Sequence, residues 1–194
     1  MALPRASTTA RRRPAAALAV TGLSALLLVG CQSNPAPPPL QRTAPSASPS
    51  PSVPVAPTMP PEARGTSKAA AKAFVRHYIS TVNYAMATGE TAQLAALSGP
   101  NCGTCTAIAD KVEQIYGNGG HLEGAGWSVL TLSYIDSGAP RSPLLSAGIK
   151  IAPQVAYHHN GGTPKWSKRS RGNLDFWLLF SRSSWYVSKL EATQ

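Results

Sequence analysis

The sequence predicts an α+β domain: three N-terminal helices packed on a curved antiparallel sheet. Three observations carry this. Apolar residues recur at three-four spacing between Ser67 and Tyr116. From Trp127 to Leu190 they alternate or form short runs instead. Helical and strand patterns do not interleave as βαβ units do, so the helices should gather on one face of an antiparallel sheet.

The first helix starts at Ser67 and buries a single stripe of Ala71, Phe74, Val75, Tyr78, Val82, Ala85 and Met86. Lys68, Lys72, Arg76 and Ser80 lie four apart on the opposite face. Gly89 ends it as a C-cap. A short helix, about Thr91 to Leu97, stops at Ser98-Gly99-Pro100. A third begins near Thr104, carries Ile108, Ala109, Val112, Ile115 and Tyr116, and ends at Gly117-Asn118-Gly119-Gly120. Trp127 to Ile135 then alternates as a strand, with Leu130, Leu132 and Tyr134 on one side. Ile149, Ile151, Val155 and Tyr157 alternate in the next, where Pro153 implies an edge or a bulge. Leu174 to Phe180 has the composition of a strand buried on both faces. It forms a hairpin with Trp185 to Leu190 across Ser181-Arg182-Ser183-Ser184.

Three parts follow from composition: residues 1–30, 31–63 and 64–194. Arg5, Arg11, Arg12 and Arg13 precede an uncharged stretch from Pro14 to Gly30, the layout of an export signal. Leu28-Val29-Gly30-Cys31 resembles a bacterial lipobox. The resemblance implies cleavage before Cys31 and a diacylglycerol on its thiol, hence a lipoprotein with acyl chains such as palmitate. Its place is the extracytoplasmic face of the cell membrane. A plain secretory signal would not need Cys31. An uncleaved anchor would need roughly 17–25 apolar residues, and this stretch sits at the short end. The arginine run raises a twin-arginine export route, which Pro14 fits poorly.

Residues 32–63 hold eleven prolines, with Ala and Ser and almost no charge. Such a segment cannot bury a core and is expected to be a disordered tether. At about 3.1 Å per residue in polyproline II it reaches on the order of 90 Å, so it holds the domain off the membrane. Its Ser/Thr-Pro composition also suits O-glycosylation, against the plainer reading of a bare spacer. The whole chain carries 18 Lys+Arg and 8 Asp+Glu. Removing the four signal arginines leaves a net +6, which favours anionic surroundings such as lipid head groups or wall polymers. Nucleic acid is not expected, because no helix interleaves a basic stripe with aromatics. No cofactor is expected, and nothing specifies an oligomeric state.

The order of elements resembles the NTF2-like, or SnoaL-like, cone. The features that match are the long helix Ser67–Thr88, the short helices after it and the closing hairpin with Trp185-x-Val187. The chain also resembles a family of actinobacterial lipoproteins with no assigned activity. Ala73-Phe74-Val75, Tyr78, Asn83-Tyr84-Ala85, Thr88-Gly89, Leu97-Ser98, Cys102-x-x-Cys105 and Tyr116-x-x-Gly119-Gly120 carry that likeness.

Once Cys31 is lipidated, Cys102 and Cys105 are the remaining thiols, in an oxidising compartment. Three readings stand. A structural disulfide would fix the start of the third helix. Thiol–disulfide exchange is favoured by a helix N-terminus, which lowers a cysteine pKa, and disfavoured by the lack of a preceding strand. Zinc would need two more ligands, from His121 or the pair His158-His159, without the usual second close-spaced pair.

Tyr78, His121, Tyr134 and Asp136 are candidates for a pocket. In SnoaL-like enzymes the helices and sheet enclose a cavity in which an acid or histidine transfers protons, but no residue here matches such a motif. Asp110 and Glu113 read as a solvated helix face, and the two tyrosines as core aromatics with satisfied hydroxyls. No paired carboxylates, phosphate loop or nucleophile elbow is present. Lys165, Trp166, Lys168, Arg169 and Arg171 form a cationic group around one tryptophan, suited to an anionic partner or to a solvated hairpin tip. The expectation is therefore a membrane-anchored module that binds an anionic envelope polymer or a protein partner without catalysis. The alternatives are a small-molecule isomerase, cyclase or hydrolase using a cavity, and a thiol–disulfide protein using the CxxC.

Overall fold

The computed structural model describes residues 54–159 and 162–193. The signal 1–30, Cys31 and most of the tether 31–63 lie outside the described residues. After a 3₁₀ turn (Pro61–Ala63) come α1 (Lys68–Thr88), α2 (Ala92–Ala96) and α3 (Gly103–Gly117). The strands are β1 (His121–Gly124), β2 (Trp127–Ile135), β3 (Leu144–Ile151), β4 (Gln154–Tyr157), β5 (Lys165–Ser167), β6 (Ser170–Ser181) and β7 (Ser184–Thr193). Among the described residues no helix is long and apolar enough to cross a membrane.

Local chemistry sets the ends of α1. The Ser67 hydroxyl accepts from the Ala70 N–H at 3.0 Å, filling one of the helix's unpaired N-terminal donors. Gly89 closes the other end in the left-handed region, φ 82°, with its N–H on the Ala85 carbonyl. A side chain there would also collide with the Tyr116 ring, 2.5 Å from the position of a Cβ. Between the caps, Phe74, Val75, Tyr78 and Val82 are fully buried. They pack on the inner face of the sheet, where Leu145, Ala147, Phe176, Leu178 and Val187 are equally buried. The Tyr78 and Phe176 rings meet edge to face at 5.9 Å. Segment 57–63 joins this core: the Gln93 amide donates to the Pro57 carbonyl at 2.6 Å, and Met59 and Ala63 pack against it.

The expected architecture, three helices on one curved antiparallel sheet, is corrected. There are two antiparallel sheets, one of three strands in the order β1-β4-β5 and one of four in the order β2-β3-β6-β7. The middle helix is a five-residue turn. The physical reason lies in the backbone. Three neighbouring strand paths break side by side: β1 and β2 part at Gly124–Gly126, β3 and β4 at Ala152-Pro153, and β5 and β6 at Lys168-Arg169. Gly124 and Gly126 have φ of 140° and 70°, which side chains resist. Pro153 has no N–H for a ladder. The strand read from the sequence as running from Ile149 to Tyr157 is thus two strands in two sheets.

One side chain bridges this break. The Asn83 Nδ2 on α1 donates to the Trp127 carbonyl at 2.9 Å, and its Oδ1 accepts from the Trp127 N–H at 2.7 Å. The amide pairs with the first residue of β2 as a neighbouring strand would. Across the junction the Ala152 N–H donates to the Gly126 carbonyl at 3.0 Å. The far edge of the large sheet is covered differently: the Gly99 N–H and the Leu97 carbonyl pair with Val187 of β7, which shields that edge. The β6–β7 turn places Arg182 and Ser183 at positive φ, the twist that a two-residue hairpin requires.

Two predictions follow from this packing. Asn83→Ala removes both bonds and strands the Trp127 backbone groups, so unfolding free energy in urea should fall by about 2–3 kcal/mol. A loss near zero would mean that the junction is held by something else. His77 is buried on α1, and burial pushes its pKa below the ordinary 6.5. The unfolded chain therefore binds a proton that the folded chain resists. Stability should be full above pH 6.5 and fall as pH drops below it. Urea midpoints from neutral to mildly acidic pH should show this slope, and His77→Gln should flatten it.

Candidate functional site

Helix α3 is pinned at both ends and open along its middle. At its start, Cys102 and Cys105 form a disulfide with Cα atoms 5.2 Å apart. The Cys102 Sγ also accepts from the Cys105 N–H at 3.4 Å, serving as the N-cap. At its end, the Tyr116 hydroxyl donates to the Met86 carbonyl at 2.8 Å and accepts from the Leu122 N–H at 3.3 Å. Midway, the Thr91 hydroxyl donates to Glu113.

Between α3 and the small sheet lies a groove of about 450 Å³. Thr104, Ala107, Ile108 and Lys111 form the helical wall, one face at three-four spacing. Gln154 and Ala156 of β4, with His158 just after the strand, form the facing wall with Lys165 and Ser167 of β5. Alternate residues of a strand share a face, and Lys165 and Ser167 pair in register with Ala156 and Gln154. Met86 and Trp127 close the space toward α1 and β2. Trp166 borders it and is 75% exposed. Lysine comes from each wall, Lys111 and Lys165, and no aspartate or glutamate lines the groove among the described residues. The Lys111 ammonium rests on the Gln114 side chain at 3.0 Å, exposed and able to swing. The His158 Nε2 is buried with no partner among the described residues.

Of the cationic group singled out in the sequence, Lys165 and Trp166 thus stand at the groove. Lys168 and Arg169 occupy the corner between β5 and β6, and Arg171 lies on β6 opposite Lys150 of β3. They straddle a bend between two sheets and do not form a hairpin tip.

The other candidate pocket residues are not brought together, and none of the four lines the groove. Tyr78 is in the core with its hydroxyl 3.3 Å from the Ser98 Oγ, and burial raises its pKa. His121 is on β1, stacked on Tyr157 at 4.6 Å and 3.4 Å from Glu123. Tyr134 and Asp136 sit at the far end of β2 beside Lys68. The Lys68 ammonium donates to Asp136 at 2.7 Å and lies 5.1 Å from the centre of the Tyr134 ring. That hydrogen bond, with a second from the Gly138 N–H, holds the Asp136 carboxyl below its ordinary range. The pair is open to water on both sides, so it is a surface contact of small energetic weight. Among the described residues no three of His, Cys, Asp and Glu converge. The two cysteines bond to each other.

Sequence reasoning missed Lys111, Ile108 and Met86 as groove residues. The available signal was the breadth of the apolar arc on α3. Ala107 and Ile108 extend it beyond the stripe that a single core contact needs.

The sequence pattern of a family of unknown function, DUF6318, matches residues 41–191. The chain belongs to that family. No curated protein matches it. Among solved structures, this DUF6318 chain is similar to the intermembrane space region of the chloroplast protein ARC6, at 12% identity over 63% of this chain and 92% of that one, TM-score 0.49. It is also similar to an uncharacterized protein with a cystatin-like fold from Caulobacter vibrioides, at 14% identity over 67% and 92% of the two chains, TM-score 0.41. A domain of unknown function with a cystatin-like fold from Nostoc punctiforme matches at 18% identity over 65% and 75%, TM-score 0.33. Similarity at this level concerns shape alone.

The disulfide offers a direct measurement. Both cysteines are 1% exposed, and exchange needs an attacking thiolate to reach a sulfur. Protein carrying Cys31→Ser should therefore show no free thiols with mild reductant, and two once denaturant is added. Cys102→Ser with Cys105→Ser should cost about 2 kcal/mol in urea unfolding, as expected for a very short loop. Rapid reduction of the native fold would revive the exchange reading.

Proposed function

We propose that this protein is a lipid-anchored extracytoplasmic lipoprotein whose folded domain binds an anionic component of the cell envelope without catalysing a reaction. The observation that carries the binding half is the pair Lys111 and Lys165. They stand on facing walls of an apolar groove that no carboxylate lines. Such a site attracts an anion, and no carboxylate stands in it to serve as a general base. Lys168 and Arg169 at the adjoining corner extend the positive surface. The dispersed positions of Tyr78, His121, Tyr134 and Asp136 weigh against the cavity-enzyme alternative. The burial of both sulfurs weighs against thiol–disulfide chemistry.

The anchoring half rests on Leu28-Val29-Gly30-Cys31 behind a basic, apolar leader. The proline-rich tether after it suits a domain working at a distance from the membrane. Two acyl chains give stable attachment where one gives only marginal binding.

Intact-mass measurement on native material tests the anchor. Residues 1–30 should be absent and Cys31 should carry a diacylglycerol. Cys31→Ser should move the protein out of the membrane fraction. A native chain that retains residues 1–30, or that bears a free Cys31 thiol, would defeat the anchor. Crosslinking of the tethered protein in cells should capture an acidic envelope component, and Lys111→Glu with Lys165→Glu should abolish the capture.

A further inference from the structure

We infer that the groove between α3 and the three-stranded sheet holds the single acyl chain of a long-chain fatty carboxylate, its headgroup lying between Lys111 and Lys165. This rests on the reading that the domain binds an anionic component, and it specifies the ligand.

The argument is one of complementarity. Beside the two lysines much of the lining is apolar: Ile108 from the helix, Leu122 and Ala156 from the small sheet, Met86 and Trp127 toward α1 and β2, with Thr104, Gln154, His158 and Ser167 as the other polar members. A hydrophilic polyanion satisfies the lysines and leaves this interior in water. A neutral hydrocarbon fills the interior and leaves the cations unanswered. A compact anion on an apolar chain uses both. A volume of about 450 Å³ lies toward the small end of the roughly 300–1,000 Å³ of ligand pockets. It suits one chain, whereas a diacyl lipid would leave its second chain in water. Each ammonium carries three donors on a flexible stem, so two of them can each take one oxygen of a compact carboxylate. Trp166, three-quarters exposed at the border, gains apolar contact when the groove fills.

The fold explains why the space is there. The backbone breaks at Gly124–Gly126 and Ala152-Pro153 turn the small sheet out of line with the large one, while α3 stays fixed at both its ends. Val112 and Ile115 are buried, lie outside the main core cluster and line the groove. Among the described residues they belong to a second, smaller apolar region.

The test uses the full chain with Cys31→Ser, which removes the acceptor for its own lipid. Tryptophan emission is followed while decanoate, dodecanoate and tetradecanoate are added below their micellar concentrations. Saturable binding should appear at one ligand per chain, with affinity rising roughly fourfold per methylene. Lys111→Glu with Lys165→Glu should weaken dodecanoate roughly tenfold and leave dodecanol unchanged. Ala107→Trp, at an exposed position of the helical wall, should block both ligands while circular dichroism stays unchanged. Equal affinity for dodecanol, dodecylammonium and dodecanoate would overturn the inference, as would affinity independent of chain length. If acetate, inorganic phosphate or vesicles of anionic diacyl lipid bind as tightly as tetradecanoate, the acyl-chain inference fails and the anion-binding reading survives. If no anion of any kind binds, both fail.

Discussion

At the bend between the two sheets, the Asn83 carboxamide takes the place that a backbone partner would hold, donating to and accepting from the same residue, Trp127. Three strands break there together, and each break leaves peptide groups that the ladder no longer serves. Buried peptide groups without partners are costly, so a bend in the middle of a domain survives only where something else supplies the hydrogen bonds. Asn83 supplies two from the helix side, and the Ala152–Gly126 contact supplies a third across the break. The helix is in turn placed by its packing on the large sheet. Core packing, helix position and bend angle are therefore one coupled constraint.

That constraint produces the groove. A straight continuation of β2, β3 and β6 would have extended the large sheet. The bend instead presents a separate wall, made of β4 and β5, to the exposed side of α3. The disulfide has a place in this arrangement. It closes too short a loop to restrict the unfolded chain strongly, but it fixes the first turn of α3, which begins the helical wall at Thr104. Tyr116 fixes the other end against Met86 and Leu122. Rigid elements on both sides suit a preformed site, which spends less ordering entropy on binding than a mobile one.

The long elements were legible in the sequence because their periods are long. Phe74, Val75, Tyr78 and Val82 repeat over enough turns to define α1, and its caps at Ser67 and Gly89 are written in residue type. The aromatic run from Phe176 to Phe180 and the four-residue turn after it made the β6–β7 hairpin equally plain. The small sheet was not legible. β1 and β5 have four and three residues, too few for any alternation to stand out, and β5 carries Lys165 and Trp166 in open positions. Pro153 implies an edge position or a bulge within one strand, and it is instead the boundary between two. Tyr78, Tyr134, His121 and Asp136 were drawn together by chemistry alone. A tyrosine or aspartate in a strand does not announce which neighbour its polar group meets, and here each found a partner separately: Ser98, Lys68 or Glu123.

The cationic segment was visible as composition but not as geometry. Lys165, Trp166, Lys168, Arg169 and Arg171 are consecutive enough to read as one patch, yet the fold divides them. Lys165 lines the groove together with a residue from a distant part of the chain, Lys111, that no local pattern links to it. Two like charges on facing walls repel one another and contribute nothing to folding. The fold tolerates them because both are exposed and screened. Folding alone does not call for two lysines on facing walls, and it is this pairing that motivates the proposed anionic ligand. The apolar residues that line the same groove motivate the proposed acyl chain in the same way.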